Sequence, residues 1–332
     1  MIRYIGPSEV DRPQWDALLA QAPNGLIYGL SWYLDIVSPG WAALVKEEAG
    51  RYVAVLPLPV CTKFGLRYLK QPPFAQQLGL FYLAEPTAAD WQQIGELIRR
   101  HFRFVTTYSF NTTNDKALVN AQLAMDGAVA STYYLRLQPA YPQLVAAYSP
   151  NRRRQLRQAQ LNALRVEPTT DIDLMISIFA ENTAGKIYGI RGEAYEYPML
   201  RKLYRAASQV GMSSMWQVCN PDGEILAMML LWRFKNQFTY IFNSSTAAGK
   251  EARAISVLLD ELFRAHARQD LSFDFEAPSV AGLTQFYSSF GSVAMPFLTV
   301  SYNRLPWPVR QLRAARMALY RKLQPRSADT GD

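Results

Sequence analysis

The stretch of sequence that decides the fold runs Ser272-Phe-Asp-Phe-Glu-Ala-Pro278 and resumes at Gly282-Leu-Thr-Gln-Phe-Tyr-Ser-Ser-Phe-Gly291. Its first part predicts a strand in which Phe273 and Phe275 share one face and Asp274 and Glu276 share the other. The second part predicts a short helix that carries aromatic residues, Tyr287 among them, and ends at a glycine. Two carboxylates and a phenol are therefore expected at the rim of a sheet.

This stretch resembles the last strand and helix of the GNAT acyltransferase fold, in the form used by the FemAB-like aminoacyl transferases. Segments 31–41 (SWYLDIVSPGW) and 71–81 (QPPFAQQLGLF) also resemble bacterial FemAB-like proteins. The resemblance implies an α+β fold with two tandem GNAT-like domains, each a mixed, mostly antiparallel sheet flanked by helices. We expect a degenerate N-terminal domain over 1–140, a catalytic domain over 141–303 and a basic amphipathic helical tail over 304–332.

Weak internal similarity agrees with a duplication. Residues 50–56 can be aligned with 223–229, since in both a turn glycine enters a largely apolar strand, and 127–130 can be aligned with 291–294. The two offsets, 173 and 164 residues, are similar enough to predict two copies of one unit with small insertions.

The second half has the element order of a GNAT domain. Ser149 and Pro150 predict a helix start, because serine is a favoured N-cap residue and proline is tolerated at the first helical position. The predicted elements that follow are helices over 171–182 and 197–210, strands over 214–219, 225–234 and 238–243, a helix over 254–266, and then the strand and helix quoted above.

Composition excludes several classes of function. The 332 residues include only two histidines, and no phosphate loop or dinucleotide fingerprint is found, so metal, histidine-triad and nucleotide chemistry are not expected. The longest apolar run, 225–232, is too short to cross a bilayer, and we expect a cytoplasmic protein. Cys61 and Cys219 are expected to be buried thiols.

The candidate catalytic residues come from the opening stretch. In the resemblance, Tyr287 occupies the position at which many GNAT enzymes place the acid beside the leaving group. Asp274 and Glu276 are candidates for the base, since mutual repulsion raises a carboxyl pKa. The alternatives are a packed aromatic and carboxylates that cap a loop. Glu181 and Glu193 are weaker candidates, from the region that lines the acceptor cleft in the family.

The donor site is also expected from the resemblance. GNAT domains bind the acyl carrier between splayed fourth and fifth strands, which we match to 225–234 and 238–243. The residues expected to bind the donor are Leu230, Leu231, Trp232, Gly249, Lys250 and Arg253. The segment 247–255 has one glycine where the CoA-binding pattern Q/R-x-x-G-x-G/A has two, so the cosubstrate is left open between an acyl-CoA and an aminoacyl-tRNA.

The net charge of +8 is concentrated in two clusters. One lies over 152–165, where Arg153 and Arg157 stand four residues apart on a helix that resembles the first helix of the FemAB-like catalytic domain; these arginines are candidates for binding a phosphate or a polyanionic acceptor. The other, 304–326, contains seven cations and no acid. This tail is expected to contact the inner membrane or tRNA, or to pack on its own domain.

Two functions follow. The first is an N-acyltransferase that moves an acyl or aminoacyl group, without a metal, to an amine on a small molecule or a cell-wall or envelope precursor. The second is a noncatalytic protein that binds an anionic ligand on the same scaffold. DNA is not an expected partner, because the basic residues are local clusters on a nearly neutral body.

Overall fold

The computed structural model of the chain describes residues 1–182, 196–277 and 281–311. The helices in those ranges are α1 (Arg12–Gln21), α2 (Ser31–Val37), α3 (Ala88–His101), α4 (Lys116–Leu123), α5 (Tyr141–Ala147), α6 (Pro150–Gln160), α7 (Ile172–Asn182), α8 (Glu196–Gln209), α9 (Ala247–Glu251), α10 (Ala254–His266) and α11 (Ala281–Ser288). The strands are β1 (Ile2–Ile5), β2 (Ala42–Glu48), β3 (Arg51–Leu58), β4 (Val60–Lys63), β5 (Leu66–Leu69), β6 (Phe81–Tyr82), β7 (Phe104–Ser109), β8 (Asp126–Arg136), β9 (Arg165–Pro168), β10 (Ser213–Cys219), β11 (Ile225–Phe234), β12 (Gln237–Ser245), β13 (Ser272–Asp274) and β14 (Val293–Asn303).

The strands form two sheets. The smaller has the order β1-β2-β3-β6, and the larger has the order β4-β5-β7-β14-β8-β13-β12-β11-β10-β9. In the larger sheet β12 and β13 are parallel, as are β5 and β7, while the other neighbours are antiparallel. This mixed, mostly antiparallel arrangement with flanking helices confirms the predicted α+β class.

The ten-stranded sheet continues across the boundary predicted near residue 140. Strand β8 comes before that boundary and β14 after it, yet the two pair along 126–134 and 293–301. Strand β8 also pairs with β13, and β14 with β7. Each half of the chain therefore supplies a strand to the part of the sheet built by the other half. The division into 1–140 and 141–303 remains a prediction.

Two hydrophobic cores lie on opposite faces of the larger sheet. Leu230 and Trp232 of β11 pack into the core that includes α1–α3, α7 and α8, whereas Leu231 packs into the core that includes α5, α6, α10 and α11. Alternate side chains of a strand point to opposite faces, so a strand buried on both faces needs a continuous apolar run. This explains why 225–232 is apolar throughout.

Local signals set the start of α6 as predicted. The Ser149 side chain accepts a hydrogen bond from the backbone N–H of Arg152, and Pro150 occupies the first turn. This cap fixes the orientation of Arg152, whose side chain enters the second core.

The C-terminal end of the described chain leaves the sheet at Asn303. Residues 307–311 are helical, and the rest of the tail, 312–332, lies outside the described residues. Within the described ranges, no helix is long and apolar enough to cross a membrane.

Candidate active site

The gap between β12 and β13 is the main irregularity of the larger sheet. The two strands pair in parallel from Gln237–Ser272 to Thr239–Asp274, and there β13 ends. Strand β12 continues to Ser245, paired only with β11 among the described strands. A bulge lies at Ile241, since Leu230 is opposite Phe242 and Leu231 is opposite Tyr240. From Tyr240 onward, one edge of β12 therefore has no strand partner among the described residues.

The splay predicted between residues 225–234 and 238–243 was wrong. These segments are β11 and β12, and they pair along their whole length. Leu230, Leu231 and Trp232 are fully buried, and each is in register with residues of both β10 and β12. Their peptide groups are used in the sheet, which leaves none facing a cleft. The apolar pattern correctly identified β11 as a buried strand. It could not show that the sheet opens between β12 and β13 and not between β11 and β12.

Glu276 lies just beyond the end of β13, in the left-handed backbone region with φ of 46°. The hydroxyl of Tyr28, which lies in a 3₁₀ turn (Ile27–Gly29), donates a hydrogen bond of 2.9 Å to its Oε1. Burial of the carboxylate raises its pKa to about 8; the Tyr28 hydrogen bond acts against this rise and the charge of Asp274 adds to it. The predicted raised pKa is thus present, with burial rather than mutual repulsion as its main cause.

The neighbourhood of Glu276 is built largely by the first half of the chain. The rings of Tyr28 and Tyr33 meet edge to face at 5.7 Å, and both residues are fully buried. Gln76 donates a hydrogen bond of 3.0 Å to the Ala277 carbonyl, next to Glu276. The site therefore lies where the two halves of the chain meet.

Asp274 is fully buried at the last position of β13. Its Oδ1 accepts hydrogen bonds from the Thr132 hydroxyl at 2.5 Å and from the backbone N–H of Glu276 at 2.9 Å. Burial raises its pKa to about 6, and these hydrogen bonds lower it in part. Asp274 thus fixes the turn that carries Glu276, which is the loop-capping alternative noted from the sequence.

Tyr287 projects from α11 toward the same gap. Its ring centroid lies 4.9 Å from that of Phe275 and 6.3 Å from that of Tyr240, the residue where β12 loses its second partner. Burial, and then the nearby charge of Glu276, raise its pKa to about 12. Among the described residues, no hydrogen-bond partner is found for its hydroxyl. The three candidate catalytic residues are therefore brought together at the end of β13.

The segment expected to bind the donor forms α9 and the start of α10. The N–H of Gly249 donates to the Thr246 hydroxyl at 3.0 Å, and a Cβ at Gly249 would lie 2.0 Å from the Leu226 carbonyl oxygen. Glycine is thus required here for close packing of α9 on β11. Lys250 donates to the Asn182 carbonyl at 3.1 Å, and Arg253 is exposed, with a left-handed φ of 59°, at the N-cap of α10.

Arg152 is a residue of this region that the sequence did not single out. It is 5% exposed, its guanidinium lies 4.4 Å above the Phe290 ring, and its Nε donates to the Ser289 hydroxyl at 3.0 Å. Its Nη1 donates to the hydroxyl of Ser256, in the first turn of α10. No carboxylate pairs with it among the described residues. Burial, and then the charge of Arg253, lower its pKa to about 10.

Within the described residues, none of the remaining predicted residues is hydrogen-bonded to Asp274, Glu276 or Tyr287. Arg153 donates to the Ala146 carbonyl at 3.0 Å, Arg157 is exposed, and exposed Glu181 accepts a hydrogen bond of 3.2 Å from Ser177. Glu193 lies outside the described residues. Within the described ranges, no group of three or more histidine, cysteine or acidic residues could hold a metal ion.

Comparisons with known proteins fit this geometry. Residues 146–282 match the family model described as an acetyltransferase (GNAT) domain. Among solved structures, FemX is similar over 93% of this chain and 99% of its own, with a TM-score of 0.63 and 13% identity. A tandem GNAT protein from the clavulanic acid biosynthesis pathway is similar over 92% and 100%, with a TM-score of 0.53 and 13% identity.

A third solved structure is the C-terminal domain of a protein assigned as a lysylphosphatidylglycerol synthetase from Agrobacterium fabrum. It is similar over 93% of this chain and 95% of its own, with a TM-score of 0.53 and 12% identity. No curated protein matches by sequence. The chain therefore has the tandem GNAT-like fold that the resemblance implied, and its residues 146–282 match a GNAT domain.

Proposed function

We propose that the chain is an N-acyltransferase that transfers an acyl or aminoacyl group to an amine in the gap between β12 and β13. The observation that carries the proposal is the position of Glu276, held by Tyr28 at the end of β13 where β12 becomes unpaired. Acyl transfer to an amine needs a base, a proton donor and backbone N–H donors for the acyl oxygen. Glu276, Tyr287 and the edge of β12 beyond Thr239 are the proposed candidates for these three roles.

Glu276 is the proposed general base. An incoming ammonium must lose a proton before its nitrogen can attack, and a base is most effective when its pKa lies near the working pH. A carboxyl pKa of about 8 meets that condition. The Tyr28 hydrogen bond stabilises the carboxylate that accepts the proton at the start of each turnover.

The unpaired edge of β12 is the proposed oxyanion site. The bulge at Ile241 interrupts the regular alternation of this strand next to the gap. Backbone N–H groups at such an edge can donate to the carbonyl oxygen of the donor as negative charge develops on it. The sequence had suggested Leu230, Leu231 and Trp232 for this role, but their peptide groups are hydrogen-bonded within the sheet. We therefore propose that the backbone of β12 binds the oxyanion instead.

Tyr287 is the proposed acid. The amine nitrogen forms a bond to the donor carbonyl carbon, the bond to the carrier breaks, and the leaving atom takes a proton from the phenol; the second proton that the nitrogen loses as the amide forms passes to the resulting phenolate. A phenol pKa of about 12 suits a ribose oxygen better than a thiolate, whose own pKa is roughly 8.5. This favours an aminoacyl-tRNA ester as the donor, in contrast to the CoA thioester.

Arg152 and Arg253 are the proposed phosphate-binding residues of the donor site. Arg253 is the N-cap residue of α10, and the guanidinium of Arg152, from α6, donates to Ser256 in the first turn of α10. The helix dipole favours an anion at this end of the helix. A buried guanidinium without a carboxylate is costly, and a donor phosphate would compensate it. CoA and the 3′ end of tRNA both supply such a phosphate.

The acceptor is proposed to be an amine on a small molecule or on a cell-wall or envelope precursor. Because Tyr28 and Tyr33 of the first half stand beside Glu276, that half is proposed to shape the acceptor side of the site. The catalytic step itself then belongs to the second half.

The proposal is tested by incubating the full chain with acetyl-CoA or aminoacyl-tRNA and a panel of amines, and identifying acylated products by mass spectrometry. We expect an acylated amine from the parent and from the exposed control Glu48→Gln, and a loss of roughly 10²-fold or more with Glu276→Gln. Equal rates in the parent and Glu276→Gln would show that Glu276 is not the general base. The absence of an acylated product with either donor would contradict the proposed acyltransferase function.

One observation favours the noncatalytic alternative. The amide of Gly249, the one glycine of the donor segment, is bonded to Thr246 and therefore not free for a phosphate. Binding of an acyl donor without turnover, at saturating concentrations of every amine in the panel, would support this reading.

A further inference from the structure

One corner of the ten-stranded sheet, distant from the candidate active site, combines exposed cations with exposed apolar side chains. We define this basic corner by six residues, which come from three separate segments of the chain: Lys63, Arg67, Arg100, Arg103, Arg304 and Arg310. All six are exposed, and none forms an ion pair within the described part of the chain.

Strand pairing brings the three segments together. Strand β5 runs beside β7, with Leu69 opposite Val105, so the β4–β5 turn lies next to the end of α3. Strand β14 ends beside the start of β7, where the N–H of Arg304 donates to the Arg103 carbonyl at 2.8 Å. The side chains agree with this placement, because the charges of Arg100 and Arg67 both act on His101.

The same corner presents apolar side chains to solvent. Phe64, at the tip of the β4–β5 turn, is 92% exposed, and Trp307 and Val309, just after β14, are 65% and 43% exposed. Lys63 lies over the Phe64 ring at 5.7 Å. Exposed large apolar side chains that are surrounded by cations are typical of surfaces that bind lipid headgroups and insert into the membrane interface.

We propose that the basic corner binds the surface of an anionic phospholipid bilayer. Each lysine or arginine near such a surface favours binding, and an aromatic side chain at headgroup depth adds an apolar contribution. Val309, an exposed aliphatic residue, lies among the cations and aromatic residues of the corner. An aliphatic side chain can insert into a lipid surface, but it has neither the charge nor the aromatic ring with which proteins bind nucleic acid, so a lipid surface is favoured.

This surface is separate from the acyl-transfer site. Strand β14 begins at Val293, in register with Tyr134, which itself pairs with Asp274, and it ends at Asn303 beside the basic corner. At about 3.3 Å per residue, the ten-residue offset places the corner roughly 33 Å along the strand from the active site. Membrane binding is therefore independent of the proposed chemistry.

The test measures binding of the full chain to vesicles of phosphatidylcholine, with and without 30 mol% phosphatidylglycerol as a chosen test composition, by co-sedimentation. We expect binding to the anionic vesicles alone. The double variant Arg103→Gln/Arg304→Gln should bind at least roughly tenfold more weakly, because each cation contributes about a fivefold factor. The control Lys202→Gln/Arg205→Gln removes the same charge from α8 and should bind like the parent.

A second variant, Phe64→Ser/Trp307→Ser, tests the apolar part of the corner and should also weaken binding. The control Leu161→Ser, at an exposed position just after α6, should not. Brominated lipid should quench part of the tryptophan fluorescence in the parent but not in Trp307→Phe. All substituted side chains are exposed, so unfolding temperatures should stay unchanged. Parent-like vesicle binding by both double variants would overturn the proposal, as would tight tRNA binding by the corner without vesicle binding.

Discussion

The burial of Glu276 should make the stability of the protein depend on pH in a way that one substitution removes. The carboxyl has a pKa of about 8 in the folded protein and an ordinary value near 4.5. Below pH 4.5 it is protonated in both the folded and unfolded states. Between pH 4.5 and 8 the unfolded chain loses this proton while the folded protein retains it, so the free energy of unfolding falls as pH rises.

The magnitude follows from the difference between the two pKa values. At about 1.4 kcal/mol per pKa unit, the full difference of 3.5 units gives an upper limit of about 5 kcal/mol between pH 4 and pH 9. Because Glu276 as a residue is only partly buried, we expect about 2 to 3 kcal/mol. Glu276→Gln keeps an acceptor for Tyr28 and cannot ionise, so the variant should lack this loss.

The assay is urea-induced unfolding of the parent and Glu276→Gln at pH 5, 7 and 9. The stability of the variant relative to the parent should increase by about 2 to 3 kcal/mol from pH 5 to pH 9. Asp274 is present in both proteins, so its own titration largely cancels in the comparison. Glu251→Gln, at an exposed position, should show no such trend. A constant difference between parent and Glu276→Gln at all three pH values would refute the idea that this carboxylate is desolvated.

Two further predictions concern the proposed donor site. Tyr287→Phe should lower kcat for an aminoacyl ester donor by roughly 10²-fold and for a thioester by much less, since a thiolate needs no proton to leave; equal losses with both donors would argue for packing alone. Arg152→Met should raise the KM for the donor by roughly tenfold without loss of thermal stability, because it replaces a buried cation that has no carboxylate partner among the described residues. The control Arg154→Met, at an exposed position two residues further along α6, should match the parent. A fall in stability with unchanged KM would instead assign Arg152 to packing.

The sequence predicted the local elements of the site well. The α6 cap at Ser149, the start of β13 and the α11 helix depend on neighbouring residues, and alternation or capping signals identify them directly. The predicted strand was too long, because β13 ends at Asp274 and the φ of 46° at Glu276 breaks the alternation that was to place both carboxylates on one strand face. The choice of strand partner does not depend on local pattern. The splay was therefore assigned to the wrong pair of strands, although both strands were recognised.

The residues that the sequence missed are those defined by long-range contacts. Tyr28 is 248 residues away from Glu276 in the chain, and no periodicity relates the two. Arg152 was part of a noted arginine cluster, but Arg153 and Arg157 were favoured because they stand four residues apart, together on the outer face of the predicted helix. What distinguishes Arg152 is its contact with Ser256 and Ser289, which only the packing of α6 against α10 and α11 creates.

The central claim, that acyl transfer takes place in the gap between β12 and β13, is tested most directly by crystal structures of the protein with acetyl-CoA and with a stable 3′-aminoacyl-adenosine analogue. We predict that whichever compound binds places its acyl carbon in this gap. Its carbonyl oxygen should face the edge of β12 near Ile241, and Glu276 should lie on the side from which the amine arrives. An acyl group bound elsewhere, or no binding of either compound at millimolar concentration, would contradict the claim.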